Sequence, residues 1–433
     1  MRRHPLGFST CFYTPPSPRT TLSLCVPTAS ARKTPMLPTP PPVSAQHLPL
    51  PDTPILRIAL VGLGQRGLKT LNRYAFIPEA SIDIVADIDP ARVEQANALL
   101  RQTNRPQART YTGPDAWRMA CHDADIDLVY ICTQWNSHCT IAVEAMRHGK
   151  HVAVEVPAAT SIEECWLLVR TAEETGRHCF MTENCCYDFC ALATLEMHRR
   201  GLLGTITHCE GAYIHNLTVP STHYPGGTTD TRQNWIEHAC QQHGGNPYPT
   251  HAIGPIAQLL GIGRDDRMLS LVSVTAQGVT QGNQTLGRVN NTLITTQRGV
   301  SILLQLDVTT PRPYNRLQTV CGTKGFVQKY PLPCIQLQGH EPITGEEAVN
   351  EMLRYATNEA GKAWHKGHAM GVPNEMNYAM DARLVHCLTH GLAPEISVYD
   401  AAEWSCLAEL TRQSALQGGI PVEIPDFRKQ ASR

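Results

Sequence analysis

The sequence predicts an α/β protein, with an N-terminal domain built on a parallel sheet and a C-terminal α+β domain built on an open, mainly antiparallel sheet. Three observations predict it. Over residues 55–180, short apolar runs alternate with helix-like stretches. The first run ends in a glycine-rich turn, Gly62-Leu63-Gly64-Gln65-Arg66-Gly67. Beyond residue 203, β-branched runs with period-two alternation dominate.

The apolar runs are ILRIALVGLG from Ile55, SIDIVADID from Ser81, IDLVYICT from Ile126, HVAVEVP from His151 and HCFMTEN from His178. Parallel strands covered on both faces read as unbroken apolar runs rather than alternating ones. Helices are expected between them over 91–101, 140–148 and 162–175. In the second half, TITHCEGAYI, RMLSLVSVTAQ, RVNNTLITTQ, VSILLQLDVTT and RLQTVCGT alternate as half-buried strands do. HAIGPIAQLLGIG reads as a helix, and further helices are expected over 346–357, 375–390 and 399–417. Residues 1–54 hold 13 of the 32 prolines and one acid, Asp52, which predicts a disordered leader. Arg2-Arg3 is not followed by the apolar core of an export signal. The leader leaves export and organelle targeting open beside a cytoplasmic location. The chain thus divides into this leader, a nucleotide-binding domain over 55–180 and a substrate and oligomerisation domain over 181–433.

Lys and Arg number 37 against 38 Asp and Glu, a net charge of −1. Phosphate-backbone binding needs a basic excess, so nucleic acid is not expected as a partner. No apolar run approaches the ~18 residues of a membrane span. The 16 cysteines lie scattered without a C-x2-C pair, which argues for reduced packing thiols over a structural zinc site.

The glycine turn has a chemical reading. Gly62 permits a tight turn, Gly64 lets the backbone approach a pyrophosphate, and Gly67 allows close helix–strand packing. Its place after a first strand marks a dinucleotide-binding Rossmann unit. Asp87 ends the second strand about 25 residues on, where a carboxylate accepts from ribose hydroxyls and repels a 2′-phosphate, so NAD is expected over NADP. Asp89 is the neighbouring alternative. A carboxylate at such a strand tip is expected to be exposed when no nucleotide is bound.

Five further segments, DIDLVYICTQWNSH, GKHVAVEVPAA, ENCCYDF, EGAYIHN and YPTHAIGP, occur in this order. With the glycine turn they resemble the NAD-dependent glycosidases of family 109, within the glucose–fructose oxidoreductase and inositol dehydrogenase superfamily. The resemblance implies a glycosidase that uses bound NAD in an oxidation, elimination, addition and reduction cycle and releases terminal α-N-acetylgalactosamine. Most glycosidases flank the scissile bond with two carboxylates; the NAD-dependent families are exceptions. The resemblance also implies the site. Gln65, Arg66, Asp87, Trp135, Asn136, Ser137, His138, Glu155, Val156 and Asn184 would contact NAD. Tyr213, Tyr248, Pro249, Thr250, His251 and Tyr330 would contact the sugar, Tyr248 also lying near the cofactor. His251, Tyr248 and Tyr330 are the proton-transfer candidates, and no metal is required. Tyr187 is a further polar candidate, with a core role its alternative.

Two departures bear on chemistry. Plain dehydrogenases of the superfamily carry Glu-Lys-Pro where this chain reads Glu155-Val156-Pro157, and valine transfers no proton. This weighs against an ordinary sugar or polyol oxidoreductase. The family's Asn-Trp-Arg reads Asn234-Trp235-Ile236 here, so a sugar-contacting arginine is absent unless Arg232 replaces it. That keeps a noncatalytic NAD- or sugar-binding protein as an alternative. A small glycan substrate and a homo-oligomer formed through the C-terminal sheet are the expected partners.

Overall fold

The computed structural model describes residues 54–218, 234–282 and 284–429. The expected leader, except Pro54, and Arg232 lie outside the described residues. Strands β1 (Leu56–Val61), β2 (Ala80–Asp87), β3 (Arg109–Thr112), β4 (Leu128–Ile131), β5 (His151–Val154) and β6 (Cys179–Met181) form one parallel sheet, ordered β3-β2-β1-β4-β5-β6. Helices α1 (Gln65–Arg73), α2 (Pro90–Gln102), α3 (Ala116–His122), α4 (Trp135–Arg147) and α5 (Ile162–Thr175) connect them. The strand order reverses between β1 and β4, which opens a crevice at their carboxyl ends. Every residue of β4 is buried, as is all of β1 except Arg57. That burial explains the unbroken apolar runs.

After α6 (Phe189–Arg199) the chain enters a nine-stranded sheet. Its strands are β7 (Ile206–Ile214), β8 (Met268–Thr275), β11 (Val289–Thr296), β12 (Ser301–Asp307), β13 (Asn315–Gly322), β14 (Gly325–Gln328), β15 (Cys334–Leu337), β16 (Ile343–Thr344) and β17 (Val422–Glu423). The order is β16-β15-β14-β13-β7-β12-β11-β8-β17, antiparallel except where β7 meets β12. A small hairpin, β9 (Val279–Gln281) with β10 (Gln284–Leu286), stands apart. Helices α7 (Asn234–His243) and α8 (Thr250–Leu260) link β7 to β8. Helices α9 (Gly345–Tyr355), α10 (Glu359–Ala369), α11 (Glu375–Thr389), α12 (Val398–Ser405) and α13 (Leu407–Leu416) follow β16. The single helix expected over 399–417 is therefore two, interrupted at Cys406. The helix expected over 140–148 begins five residues earlier, at Trp135.

Two features of this frame aim side chains into the crevice. Helix α8 runs close to the end of β6, because Gly254 has no side chain; a Cβ there would lie 2.7 Å from Glu183 Cγ. Strand β13 bulges where it pairs with β7, with register shifts on both sides of Leu317. Leu317 and Gln318 take φ of 57° and 55°, a left-handed conformation that costs non-glycine residues about 1–3 kcal/mol each.

Candidate active site

The nucleotide cradle follows from the turn after β1. Gly62 has φ 89°, and a Cβ on Gly67 would sit 2.0 Å from the Gly62 carbonyl oxygen, so both positions require glycine. A Cβ on Gly64 would meet only the Arg92 side chain, at 3.6 Å, which leaves backbone open to an approaching phosphate. Helix α1 starts there and presents its first amides to an anion. Asp87 ends β2 and accepts from the Leu63 amide at 2.6 Å and the Asp89 amide at 2.9 Å. The competing Asp89 accepts from Ala91 N as the N-cap of α2. Asp87 is buried, contrary to the expectation of an exposed strand-tip carboxylate, because it ties two turns together. Glycines, helix terminus and carboxylate together fit a dinucleotide.

Deeper in the crevice, Arg66 of α1 meets Glu155, just beyond β5, at 2.6 Å. Burial lowers the guanidinium pKa, but Glu155 outweighs it and the net direction is up. Val156 is buried and offers no proton. At the start of α4, Trp135 is nearly buried, Asn136 is exposed and Ser137 bonds back to Thr133 and Gln134. His138 is fully buried, its ring held by the Pro157 carbonyl at 2.7 Å and the Thr133 carbonyl at 3.0 Å. That ring fastens α4 to the turn after β5, at the carboxyl end of the sheet where the cofactor contact is expected. Asn184 is buried and donates to Asn377 Oδ1 at 2.9 Å.

The catalytic candidates converge where α8 meets β6. Glu183 is wholly buried, and both its oxygens reach His251 Nδ1, at 2.7 and 2.9 Å. His251 Nε2 lies 2.9 Å from Tyr248 Oη. Assigned from these partners, Nδ1 carries the proton and donates to Glu183, while Nε2 accepts from the phenol. Burial lowers the His251 pKa and the Glu183 carboxylate only partly restores it, so the ring stays neutral. Burial raises the Glu183 carboxyl, but the His251 ring, the Arg316 charge and the Cys185 amide together outweigh it and the net direction is down. Burial holds the Tyr248 phenol well above its usual range. Pro249 is buried, and Thr250 is fully buried with a hydroxyl that has no partner among the described residues. Both stand at the turn that opens α8.

Aromatic rings wall this array. Trp135 stacks on Tyr248, centroids 5.2 Å apart and planes 18° from parallel. Trp235 meets the Trp135 edge at 5.1 Å, and Tyr213 of β7 meets Tyr248 at 4.8 Å. Tyr213 Oη lies 3.0 Å from His215 Nδ1, and the rings continue through Tyr314 to Tyr330. Burial lifts the Tyr314 phenol to about 12. Lys329, paired with Asp188, lies over the Tyr330 ring. Ile236 packs into the apolar cluster with Trp235 and brings no charge. Tyr187 is a core residue whose hydroxyl donates to Glu395 at 3.2 Å.

Glu183, Cys185 and His251 also place three metal-type ligand atoms within 4.8 Å, as do His122, Glu144 and His148 on the surface. In the tautomer that satisfies both neighbours, His251 Nδ1 has no lone pair to offer the first group. Glu183 and Arg316 were not foreseen from sequence. Glu183 had a usable signal, since it follows a parallel strand's carboxyl end, where such sheets bind ligands. Arg316 had none, being the first charged residue of a strand run.

Among the described residues no helix is long and apolar enough to cross a membrane. Residues 187–432 match the model of the glycosyl hydrolase 109 C-terminal domain, and residues 56–183 match that of the oxidoreductase family with an NAD-binding Rossmann fold. A Phocaeicola vulgatus relative, glycosyl hydrolase family 109 protein 2, is 48% identical over 406 residues, covering 88% of this chain and 97% of its own. An alpha-N-acetylgalactosaminidase of Bacteroides fragilis is 48% identical over 400 residues, covering 88% and 94%. Among solved structures, a levoglucosan dehydrogenase in complex with NADH and levoglucosan superposes with TM-score 0.66 at 16% identity, over 86% of this chain and 99% of that one. An inositol dehydrogenase homolog from Azotobacter vinelandii, complexed with NAD+, gives TM-score 0.63 at 19% identity, over 86% and 99%. At such identities these two establish the fold alone.

Proposed function

Because the chain belongs to glycosyl hydrolase family 109, we propose that it acts as an NAD-dependent α-N-acetylgalactosaminidase, releasing terminal α-linked N-acetylgalactosamine. The observation that carries this reading is the Glu183–His251–Tyr248 array, set beside the nucleotide crevice by the Trp135 stack. The relative named for that activity supports the choice of sugar.

When bound in this crevice, NAD would supply reversible hydride exchange at the sugar C3, and the C3 ketone would acidify the C2 hydrogen. The chain's own residues manage the protons. His251 Nε2 accepts from Tyr248 Oη, so the pair takes a proton from a sugar hydroxyl set against that phenol. Glu183 then faces an imidazolium and offsets its charge. Tyr330, whose ring joins the same wall through Tyr314, is kept a neutral phenol by burial and would donate a proton to the departing C1 oxygen, recovering it when water adds. Gln65, Arg66, Asp87 and the first turn of α4 would hold the nucleotide. Tyr213 and Tyr248 give the sugar aromatic faces, and with Val156 in the lysine position a net dehydrogenase has no base there.

Incubation with a nitrophenyl α-N-acetylgalactosaminide in D2O tests the reading. The expected result is aglycone release without net NADH and with deuterium at C2 of the freed sugar. Release without C2 exchange would indicate conventional hydrolysis, and net NADH from free sugar an oxidoreductase.

A further inference from the structure

In the tyrosine-lined part of the site stands a guanidinium, Arg316, that makes no ion pair among the described residues, the nearby Glu183 acting on it only through its charge. Arg316 belongs to β13, and its hydrogen bonds go to Tyr314 Oη and Cys185 Sγ. Both are neutral, the thiol and the phenol each being raised by burial. Its charge also lies over the faces of Tyr213 at 5.8 Å and Tyr314 at 5.5 Å. Cys185 Sγ is in turn 3.5 Å from His251 Nδ1, so this cation borders the proton-transfer array.

The backbone aims it there. The bulge of β13 falls directly after Arg316, at Leu317 and Gln318, opposite the stretch of β7 that carries Tyr213. The same two residues accept from the amides of Tyr330 and Lys329, which brings Tyr330 to the same wall. Bulges re-aim side chains, and strained conformations persist where the surroundings impose them. A guanidinium offers five donors in a fixed fork and is held in such a place most favourably by an oxygen acceptor.

We propose that Arg316 binds the acetamido carbonyl of the substrate and thereby selects 2-acetamido sugars over plain hexoses. This rests on the glycosidase reading above. Before reaction the only carbonyl of an N-acetylgalactosamine residue is that of its acetamido group, and it accepts from a charged donor better than the ring hydroxyls do. Ile236, on the α7 side of the site, supplies no rival cation.

Titration of the NAD-loaded protein with N-acetylgalactosamine and with galactose, followed by calorimetry, tests the assignment. Arg316→Gln should lose about 10- to 100-fold in affinity for N-acetylgalactosamine, the worth of a hydrogen bond to a charged group, with galactose unchanged. Arg316→Lys keeps the charge without the fork and should show a smaller loss for the same sugar; this variant decides if the glutamine variant does not fold. Unaltered N-acetylgalactosamine binding, or an equal loss for both sugars, overturns the proposal. Wild-type protein that cleaves no N-acetylgalactosaminide and binds neither sugar would instead overturn the reading on which it rests.

Discussion

Glu183 and His251 are separated by 68 residues of chain and by 2.7 Å in the fold. The carboxylate fixes the imidazole tautomer and opposes the desolvation that lowers its pKa. Glu183→Gln retains the shape and an acceptor but not the charge. Its kcat should fall by about 10²–10⁴. The acidic limb of the pH–rate profile should move to lower pH, because the one charge that raises His251 is gone. Measured kcat and kcat/KM across pH check this; a drop in Tm with an unmoved limb would mark Glu183 as merely structural.

His251→Ala should abolish glycoside cleavage while leaving NAD bound, and it should also weaken the fold. Removing the imidazole takes one donor from a wholly buried carboxylate, which keeps the Cys185 amide at 3.0 Å; losing a hydrogen bond to a charged group costs about 1.5–3 kcal/mol. His251→Gln keeps a donor for Glu183 and should be equally inactive yet nearer wild-type stability. Denaturant unfolding of the two variants, beside nucleotide content after purification, separates the losses.

The Glu183–His251 pair should lose its stabilising contribution on acidification in two stages, while Glu403, raised to about 7 by burial, acts in the opposite direction. The folded His251 pKa lies below 6.5, so between the two values the unfolded chain binds more protons and stability rises with pH, complete above about 6.5. The lowered Glu183 pKa acts in the same direction below about 4.5. His138, His215 and His243 are lowered by burial as well, so the contribution of His251 is the difference between wild type and His251→Gln. Thermal melts from pH 4 to 8 measure it; identical pH dependence in both proteins would refute the assignment.

Asp87→Ala should lower NAD affinity about 10- to 100-fold through the lost hydrogen bonds to ribose. It also frees the buried Leu63 amide, so a stability loss of about 1–3 kcal/mol should accompany it. Asp87→Asn retains one acceptor and should recover most of the stability but not the affinity. Fluorescence titration with NAD and unfolding curves check both halves.

Much of the fold was legible because both strand patterns are set by burial. β4 lies between two helical layers and reads as an apolar block, whereas β11 alternates because one face is open. β3, Arg-Thr-Tyr-Thr at the sheet edge, has no buried residue and so no pattern to read. α1, Gln65–Arg73, is mostly polar with one covered face, so the glycine turn before it marks it better than its own pattern does. In the site, His251 and Tyr248 were legible through a compact box of adjacent residues. Glu183 and Arg316 were not, because their partners arrive from other strands and helices and carry no local spacing. His138 differs from its neighbours in a way no spacing announces: Asn136 is exposed, and the helix turns the His138 ring inward.

The ion pair between Arg73 of α1 and Asp381 of α11 joins the two ends of the chain at 2.6 Å, with exposures of 4% and 0%. Tyr130 of β4 donates to the same carboxylate at 3.1 Å. Ser405 and Glu409, beyond it, cap the Ala158 and Ile162 amides of the first domain. A border that is sharp in the sequence is thus crossed again by the chain's own tail. Excised near residue 183, the nucleotide-binding half would lose the carboxylate that pairs with Arg73 and the acceptors of two amides. The two halves are in this sense one cooperative unit, assembled only after the last helices have been made, and a ligand held by the first half steadies the second.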